Sequence, residues 1–394
     1  MTKHTHTQQD LVQPQLANSL SKFEYIDLLR GLAILGVIAV HSQQQIPTLF
    51  QLTSSIFNYG QLGVQLFFVA SALTLCLSMS ERKEATPKNF YIRRFFRIAP
   101  LYYFGVALYF LWRLSKEYYM TNEINIPAEY DVIGVIENLL FLHGFHPKNF
   151  NFVVPGGWSI ATEMAFYAIF PILFSIQSKL RFNGFLKFAL LIIFISFVSQ
   201  FVAIEIIQPA LLDKGIIKSI QVNDEFGFMY GSIVNQINVF LIGMLTFKKL
   251  KETIISNSML LFAALLCCVS CFLLNTTTFK TGYNGFIYPI LSAIAFGIFA
   301  IKLSSIENFK NSFSQCLIKI GKVSFSMYLL HFLFLDIVNY AYKKTLFKAL
   351  LNSELQLIIL FLTLTAITYI AAELSYKKLE QPAINFGKRF IQSN

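Results

Sequence analysis

Long apolar segments separated by short polar ones fill nearly the whole chain, and this alternation predicts its architecture. A helix that crosses a bilayer needs about 20 predominantly apolar residues, and ten segments approach that length. We therefore predict an all-α, polytopic membrane bundle of about ten transmembrane helices. The segments are Ile26–Ile46, Gly60–Ser80, Ile98–Leu114, Trp158–Gln177, Leu186–Ile207, Phe228–Phe247, Met259–Leu274, Gly285–Ile301, Ile320–Tyr340 and Leu355–Leu374.

A further apolar segment, Val132–Leu142, is too short to cross a bilayer and contains Glu137. Cytoplasmic loops of membrane proteins carry an excess of Lys and Arg. If this segment crossed, every later loop would change sides and three Lys-rich connections would face outwards. We therefore predict one short non-spanning helix on the outer side, either lying on that face or re-entrant, and two cytoplasmic termini.

The domain organisation that follows is simple. Residues 1–22 are polar and are predicted to be a disordered cytoplasmic tail. Residues 23–382 form a single membrane domain, and residues 383–394 a second cytoplasmic tail. The sequence shows no convincing internal repeat and no linker to a second domain.

The composition supports a membrane protein and narrows its partners. Of the 394 residues, 55% are hydrophobic and only 13% are charged, about half the usual charged fraction. The net charge of +11 fits cationic cytoplasmic loops, so we expect membrane lipid and no nucleic acid as a partner. The five cysteines lie in or beside apolar runs and lack the ligand pattern of a metal site. No metal is expected.

The first apolar segment carries an unusual polar stripe. Arg30 and His41 are eleven residues apart, which places them within roughly 20° of each other around a helix and roughly 16 Å apart along it. Asp27, three residues before Arg30, is close enough to pair with it. Ionisable groups inside a membrane normally face a protein interior or a wet cavity. The stripe is therefore predicted to point inwards, although an interfacial position for either residue remains an alternative.

Two other polar features have candidate roles. Arg93, Arg94 and Arg97 lie in a cationic loop before the third helix. They could contact anionic lipid, or they could bind phosphate through bidentate hydrogen bonds.

Glu163 lies five residues into the fourth segment, at a depth similar to that of His41. A carboxylate beside a histidine can fix its tautomer and raise its basicity, so we predict a His41–Glu163 pair.

These features fit two classes of function. One is an enzyme that takes a phosphate-bearing donor from the cytoplasm and modifies a molecule outside. The other is a secondary transporter with a His/Glu proton relay. A third possibility, a non-catalytic membrane scaffold, gives these polar residues no chemical role.

Six motifs, in order along the chain, resemble those of the membrane acyltransferase-3 family, and the resemblance covers nearly all of the chain after about Phe23. Ser71 is retained in the second motif, where Ala72 stands in place of the family's usual glycine. The motifs are IDLLRGLAILGVIAVHS with Arg30 and His41, GVQLFFVASALTL, FYIRRFFRIAPLYY, WSIATEMAFYAIFP, SFSMYLLHFLF and ELSYKKLEQP.

The resemblance implies transfer of an acyl group, usually acetyl, from cytoplasmic acyl-CoA to a hydroxyl of an acceptor outside the bacterial inner membrane. Surface polysaccharides such as O-antigen, capsule or exopolysaccharide are the expected acceptors, and peptidoglycan or a secondary metabolite would also fit. Acetyl-CoA is expected as a donor substrate, with no permanently bound cofactor.

Roles for the candidate residues follow from this resemblance as hypotheses. Arg93, Arg94 and Arg97 would hold the CoA phosphates, and the pantetheine arm would pass Arg30. His41 would act as general base or as transient acyl carrier, with Glu163 orienting or charging it. Three further residues are expected along the substrate path, namely Ser71, Trp158 and His331. The sequence does not determine the oligomeric state.

Overall fold

The computed structural model describes residues 9–46, 50–81, 86–127, 130–147, 149–214, 223–250, 252–276, 283–306, 308–343 and 352–391. These residues form helices and connecting turns, with no β-strand among them. The helices are α1 (Gln9–Gln43), α2 (Gln51–Asn58), α3 (Gly63–Glu81), α4 (Pro87–Thr121), α5 (Val132–Leu139), α6 (Gly157–Lys179), α7 (Phe182–Val202), α8 (Gln208–Asp213), α9 (Asn223–Gly231), α10 (Ile233–Lys249), α11 (Asn257–Thr276), α12 (Asn284–Ser304), α13 (Ser312–Lys322), α14 (Ser324–Lys343), α15 (Ser353–Ser375) and α16 (Gln381–Lys388).

The fold is the predicted all-α polytopic membrane bundle. Within the described residues, nine helical stretches are long and apolar enough to cross a membrane. They are built on α3, α4, α6, α7, α10, α11, α12, α14 and α15. α1, which contains the first predicted span, is not among the nine, so its crossing of the membrane stays a prediction.

α1 lies at the centre of the bundle, in contact with α3, α12, α13, α14 and α15. Residues all around its surface are buried, including Ile26, Ala33 and Ile38. Glycines on neighbouring elements allow this close packing. A Cβ on Gly321 of α13 would meet the carbonyl oxygen of Asp27 at 1.7 Å, and one on Gly60 would meet that of Gly36 at 2.0 Å. Helices that lack a hydrophobic driving force in lipid associate through such small-residue contacts.

Two boundaries differ from the prediction for physical reasons, and a third agrees with it. The arginine-rich segment is not a loop, because Thr86 caps α4 by accepting a hydrogen bond from the Asn89 amide, and Pro87 occupies the first helical turn. The predicted ninth span is interrupted at Val323, where α13 ends and α14 begins. α5 has eight residues, which confirms that this segment is too short to span.

The two predicted tails are helical where they are described. α1 begins at Gln9, inside the segment predicted to be disordered, and α16 continues to Lys388, beyond the predicted end of the membrane domain. A π-helical turn, Tyr376–Glu380, joins α15 to α16. It belongs to the ELSYKKLEQP motif, and it places Glu380 inside the protein with 2% of its surface exposed.

Candidate active site

Two cavities adjoin each other beside α1, and Arg30 and His41 open onto different ones. The smaller, with a volume of about 70 Å³, is lined by polar residues that include Arg30, Arg97 and Glu163. We call it the arginine cavity. The larger, about 550 Å³, is lined by His41 among mostly aromatic and amide side chains. We call it the histidine cavity. The helical stripe predicted from the sequence thus leads from one cavity to the next.

Arg30 is held in the arginine cavity by α1 and α3 together. Its Nη2 donates to the Thr74 hydroxyl at 2.9 Å, and its Nη1 lies 3.5 Å from an oxygen of Asp27, the predicted partner one turn away. Thr74 can accept this bond because its own proton is donated to the Ala70 carbonyl. The guanidinium, with both partners fixed, presents its positive charge to the cavity.

Glu163 belongs to the arginine cavity, and the predicted His41–Glu163 pair is not formed. One oxygen of Glu163 accepts hydrogen bonds from the Ser71 hydroxyl and the Tyr167 hydroxyl, each at 2.5 Å. The Ser71 and Tyr167 oxygens are themselves 3.2 Å apart. The prediction was wrong because it placed the two residues by depth alone, whereas α6 directs Glu163 towards α3. Glu163 and Tyr167 share a face because they are four residues apart on α6.

The three clustered arginines of α4 have different surroundings. Arg97 lines the arginine cavity and lies within electrostatic range of Glu163, Asp27 and Glu380. The Arg94 guanidinium is buried between the rings of Phe90 and Tyr167, at 5.8 and 5.7 Å from their centroids.

Arg93 is half-buried. The three side chains differ in depth and surroundings, and phosphate binding by all three together stays a prediction. Arg97 is the member of the cluster that reaches the cavity.

The histidine cavity has a neutral, aromatic lining. Phe150, Phe152, Trp158, Tyr230 and Phe332 contribute rings, and Gln44, Gln61 and Asn151 contribute amides. No Lys, Arg, Asp or Glu lines it among the described residues. Its size falls within the range typical of small-molecule sites. Aromatic faces combined with a few amide groups suit a polar but uncharged ligand that carries hydroxyl groups.

His41 is positioned in this cavity by contacts that the sequence did not indicate. Its Nδ1 lies 2.9 Å from the Gln44 side-chain oxygen, and its ring packs on Phe332 with centroids 4.4 Å apart. When Gln44 accepts from Nδ1–H, the proton is fixed on that nitrogen and Nε2 keeps its lone pair. This tautomer is the one that a general base or a nucleophilic acyl carrier requires.

His331 lies directly behind His41 and is fully buried. The two rings are 5.3 Å apart between centroids. The His331 Nδ1 bonds to the backbone carbonyl of Tyr328 at 2.6 Å, while its buried Nε2 has no hydrogen-bond partner among the described residues. Ser71 and Trp158, the other residues predicted on the substrate path, line the arginine cavity and the histidine cavity respectively.

Several residues of the site were not identified from the sequence. Gln44, Thr74, Tyr167 and Tyr328 contact the candidate residues directly, and Glu380 lies near Arg97. Thr74 and Tyr167 could have been found, because each lies one helical turn from a singled-out residue on the same face. Gln44 could have been found in the same way, because it lies three residues from His41, whereas Glu380 depends on the position of the π-helical turn.

A polar network on the outer connection supports the start of α6. The buried His143 has its Nε2 3.2 Å from the Tyr102 hydroxyl and 3.1 Å from the Gly157 carbonyl. Burial lowers the pKa of His143 below its ordinary value. His146 and Asn149 both bond to Glu137. Although desolvation acts in the opposite direction, these bonds lower the pKa of Glu137.

The sequence comparisons agree with this architecture. The chain is 25% identical to "Putative O-acetyltransferase SAR0937" of Staphylococcus aureus strain MRSA252. The alignment covers 93% of this chain and 59% of that protein. It is 25% identical to the peptidoglycan O-acetyltransferase OatA of Listeria monocytogenes over 94% of this chain and 58% of the relative. The acyltransferase MdmB of Streptomyces mycarofaciens is 29% identical over 39% of each chain.

The chain thus spans somewhat less than three fifths of the length of the first two relatives. No solved structure matches it. The family model described as "Acyltransferase domain" matches residues 23–373. This range includes Arg30, His41 and the residues that line both cavities. The chain therefore belongs to this family of membrane acyltransferases.

Proposed function

We propose that the protein transfers an acetyl group from cytoplasmic acetyl-CoA to a hydroxyl of a cell-surface polysaccharide at the outer face of the inner membrane. The observation that carries this proposal is the pair of adjoining cavities, one cationic and one neutral. Acyl-CoA is an anionic donor, which Arg97 and Arg30 would attract by charge and hydrogen bonding. A glycan hydroxyl would enter the neutral histidine cavity, where His41 is positioned.

In the simplest mechanism, the acceptor hydroxyl is placed against the Nε2 of His41. This nitrogen takes the hydroxyl proton while the oxygen attacks the thioester carbon. A C–O bond forms, the C–S bond breaks, and the CoA thiolate leaves and is protonated by the histidinium or by water. Alternatively, Nε2 attacks the thioester itself and passes the acetyl group on. In both versions Gln44 keeps the reactive nitrogen unprotonated.

The names of the relatives support the acetyl group and the class of acceptor, whereas the donor assignment is supported by the charge of the arginine cavity. The Listeria relative is named as an enzyme that O-acetylates peptidoglycan, which makes a surface glycan the leading acceptor class. The proton-relay transporter would need the His41–Glu163 pair, and these residues lie on different cavities. No observation therefore favours that alternative.

Transfer of labelled acetate tests the proposal. Membrane vesicles that contain the protein are supplied with acetyl-labelled CoA, and surface glycans are examined for O-acetyl signals by NMR. We expect label on the glycan with the native protein and none above background with His41→Gln. His146→Gln is the matched control, since this histidine bonds to Glu137 on the outer connection. Native transfer rates in His41→Gln at equal membrane abundance would contradict the proposal.

A further inference from the structure

The arginine cavity and the histidine cavity are separated by a thin partition. Val64 of α3 and Tyr328 of α14 line both cavities. Tyr328 is the larger of the two, and only 8% of its surface is exposed. An acyl group that travels from Arg30 towards His41 therefore meets the Tyr328 ring.

The Tyr328 hydroxyl is held in this position by the start of α6. It accepts a hydrogen bond from the Ser159 hydroxyl at 2.7 Å and donates one to the Gly156 carbonyl at 3.1 Å. Both hydrogen-bonding functions of the phenol are thereby used. Two neutral hydrogen bonds hold the side chain in place, and they can open because each one contributes little net free energy.

Gly156 provides the space for this arrangement. It has a positive φ of 76°, which favours glycine. A Cβ there would lie 3.1 Å from the Tyr328 hydroxyl and 3.0 Å from the Phe332 ring. Any side chain at this position would therefore press on the tyrosine and on the ring that packs against His41.

The partition is also connected to His41. The Tyr328 ring lies 5.6 Å from the His331 ring, whose centroid is in turn 5.3 Å from that of His41. In addition, the Tyr328 ring meets Phe67 edge-on at 6.1 Å on the arginine side. Rotation of Tyr328 would thus alter packing on both sides of the partition.

We infer that Tyr328 is a gate between the donor and acceptor compartments, closed in this structure by its bonds to Ser159 and Gly156. The arginine cavity, at about 70 Å³, is far smaller than the roughly 300 Å³ of a small ligand site, so it must enlarge to admit a pantetheine arm. Rotation of Tyr328 joins it to the larger cavity. While the gate is closed, the thioester is kept away from water in the histidine cavity. The inference rests on the proposed function only for the identity of the two substrates.

Cysteine labelling tests the barrier without measuring catalysis. In a variant with the native cysteines replaced by alanine, Ser71→Cys reports on the arginine cavity and Gln44→Cys on the histidine cavity. A membrane-impermeant, cationic methanethiosulfonate is applied to the face from which Gln44→Cys reacts. That face is determined first with intact cells and inverted vesicles.

With Tyr328 present, Ser71→Cys should react at least tenfold more slowly than Gln44→Cys. Adding Tyr328→Ala should remove most of that difference, and Tyr328→Phe, which keeps the ring but loses both hydrogen bonds, should give an intermediate rate. Phe332→Ala is the matched control: it enlarges only the histidine cavity and should leave Ser71→Cys protected.

Rapid labelling of Ser71→Cys beside native Tyr328 would overturn the inference. So would continued protection in both Tyr328 variants while Gln44→Cys still reacts. Transfer of labelled acetate to the glycan, measured in the same vesicles with the native protein, separates this inference from the proposed function. If labelling follows the expected pattern but no acetate is transferred from acetyl-CoA, the gate stands and the donor assignment fails.

Discussion

The arginine cavity and the histidine cavity adjoin, yet their chemistry and packing differ. The first contains two arginines and a glutamate in about 70 Å³. Arg30 is bonded to Thr74 and Asp27, and Glu163 to Ser71 and Tyr167. The second has about 550 Å³ and a neutral aromatic lining around one histidine. Ionisable groups inside a membrane protein are tolerated when they are paired. Under the proposed function, charge would hold the donor and open space would admit the acceptor.

The strongest test of this division is the removal of charge from the arginine cavity. Arg30→Ala removes the bonds to Thr74 and Asp27, and a hydrogen bond to a charged group contributes about 1.5–3 kcal/mol. We expect kcat/KM for acetyl-CoA to fall roughly 10- to 100-fold, with a smaller loss for Arg30→Lys, which keeps the charge. Steady-state kinetics with varied donor and varied acceptor would measure this. An effect on the acceptor KM alone would contradict the division.

The variant Glu163→Gln tests whether this carboxylate affects donor binding in the arginine cavity or the protonation of His41. Gln keeps an oxygen that can accept from Ser71 and Tyr167 but removes the charge beside Arg97. We expect the KM for acetyl-CoA to fall several-fold, because the carboxylate no longer repels the anionic donor beside Arg97, with no change in the pH dependence of kcat. If Glu163 instead charges His41, as the sequence suggested, the acid limb of the pH profile will move. That result would restore the predicted pair in a catalytic conformation.

Gln44→Ala sharpens the description of the histidine cavity. Loss of one neutral hydrogen bond costs about 1 kcal/mol of free energy. We therefore expect kcat to fall several-fold while the donor KM stays constant. Gln44→Glu should recover the rate, because a carboxylate accepts the same bond from Nδ1–H. It should also shift the acid limb to higher pH, since a nearby negative charge favours the protonated imidazole. Unchanged kinetics in both variants would exclude an orienting role.

The smallest expected effect concerns the outer connection that supports α6. Because burial lowers the pKa of His143, the opened segment binds a proton more readily, and packing stability should be lost as pH falls below about 6.5. Glu137, whose pKa is lowered, adds a second loss below about pH 4.5.

Hydrogen exchange across residues 130–157, divided by the intrinsic amide exchange rate at each pH, should therefore rise a few-fold between pH 7.5 and 5.5. His143→Gln should flatten this response. A rise of equal size in that variant would show that another group titrates.

The membrane architecture followed from local features of the sequence. Runs of about 20 apolar residues have few alternatives to helices in a bilayer, because every backbone polar group must be satisfied internally. The segment Val132–Leu142, which contains α5, was recognised as too short because a helix needs about 20 residues to cross a bilayer. The helical stripe of Arg30 and His41 followed from periodicity alone.

Predictions that needed a partner on another helix were less successful. Glu163 was placed at the depth of His41 but bonds to Ser71 across the α3–α6 contact. Ala72, which stands in place of the family's usual glycine, shows the same dependence on another helix. A Cβ on Gly243 of α10 would lie 2.8 Å from the Ala72 Cβ, so the small residue is supplied by the opposite helix.

The sequence by itself determined the class of fold, the short outer helix and the shared face of Arg30 and His41, because bilayer thickness and helix geometry depend only on local composition and spacing. Only the tertiary structure decided that these two residues open onto separate cavities, that Glu163 belongs with the arginines, and that Tyr328 stands between the two compartments. Those relations depend on how α3, α6 and α14 pack around α1. The packing brings together residues as far apart in the sequence as Gly156 and Tyr328.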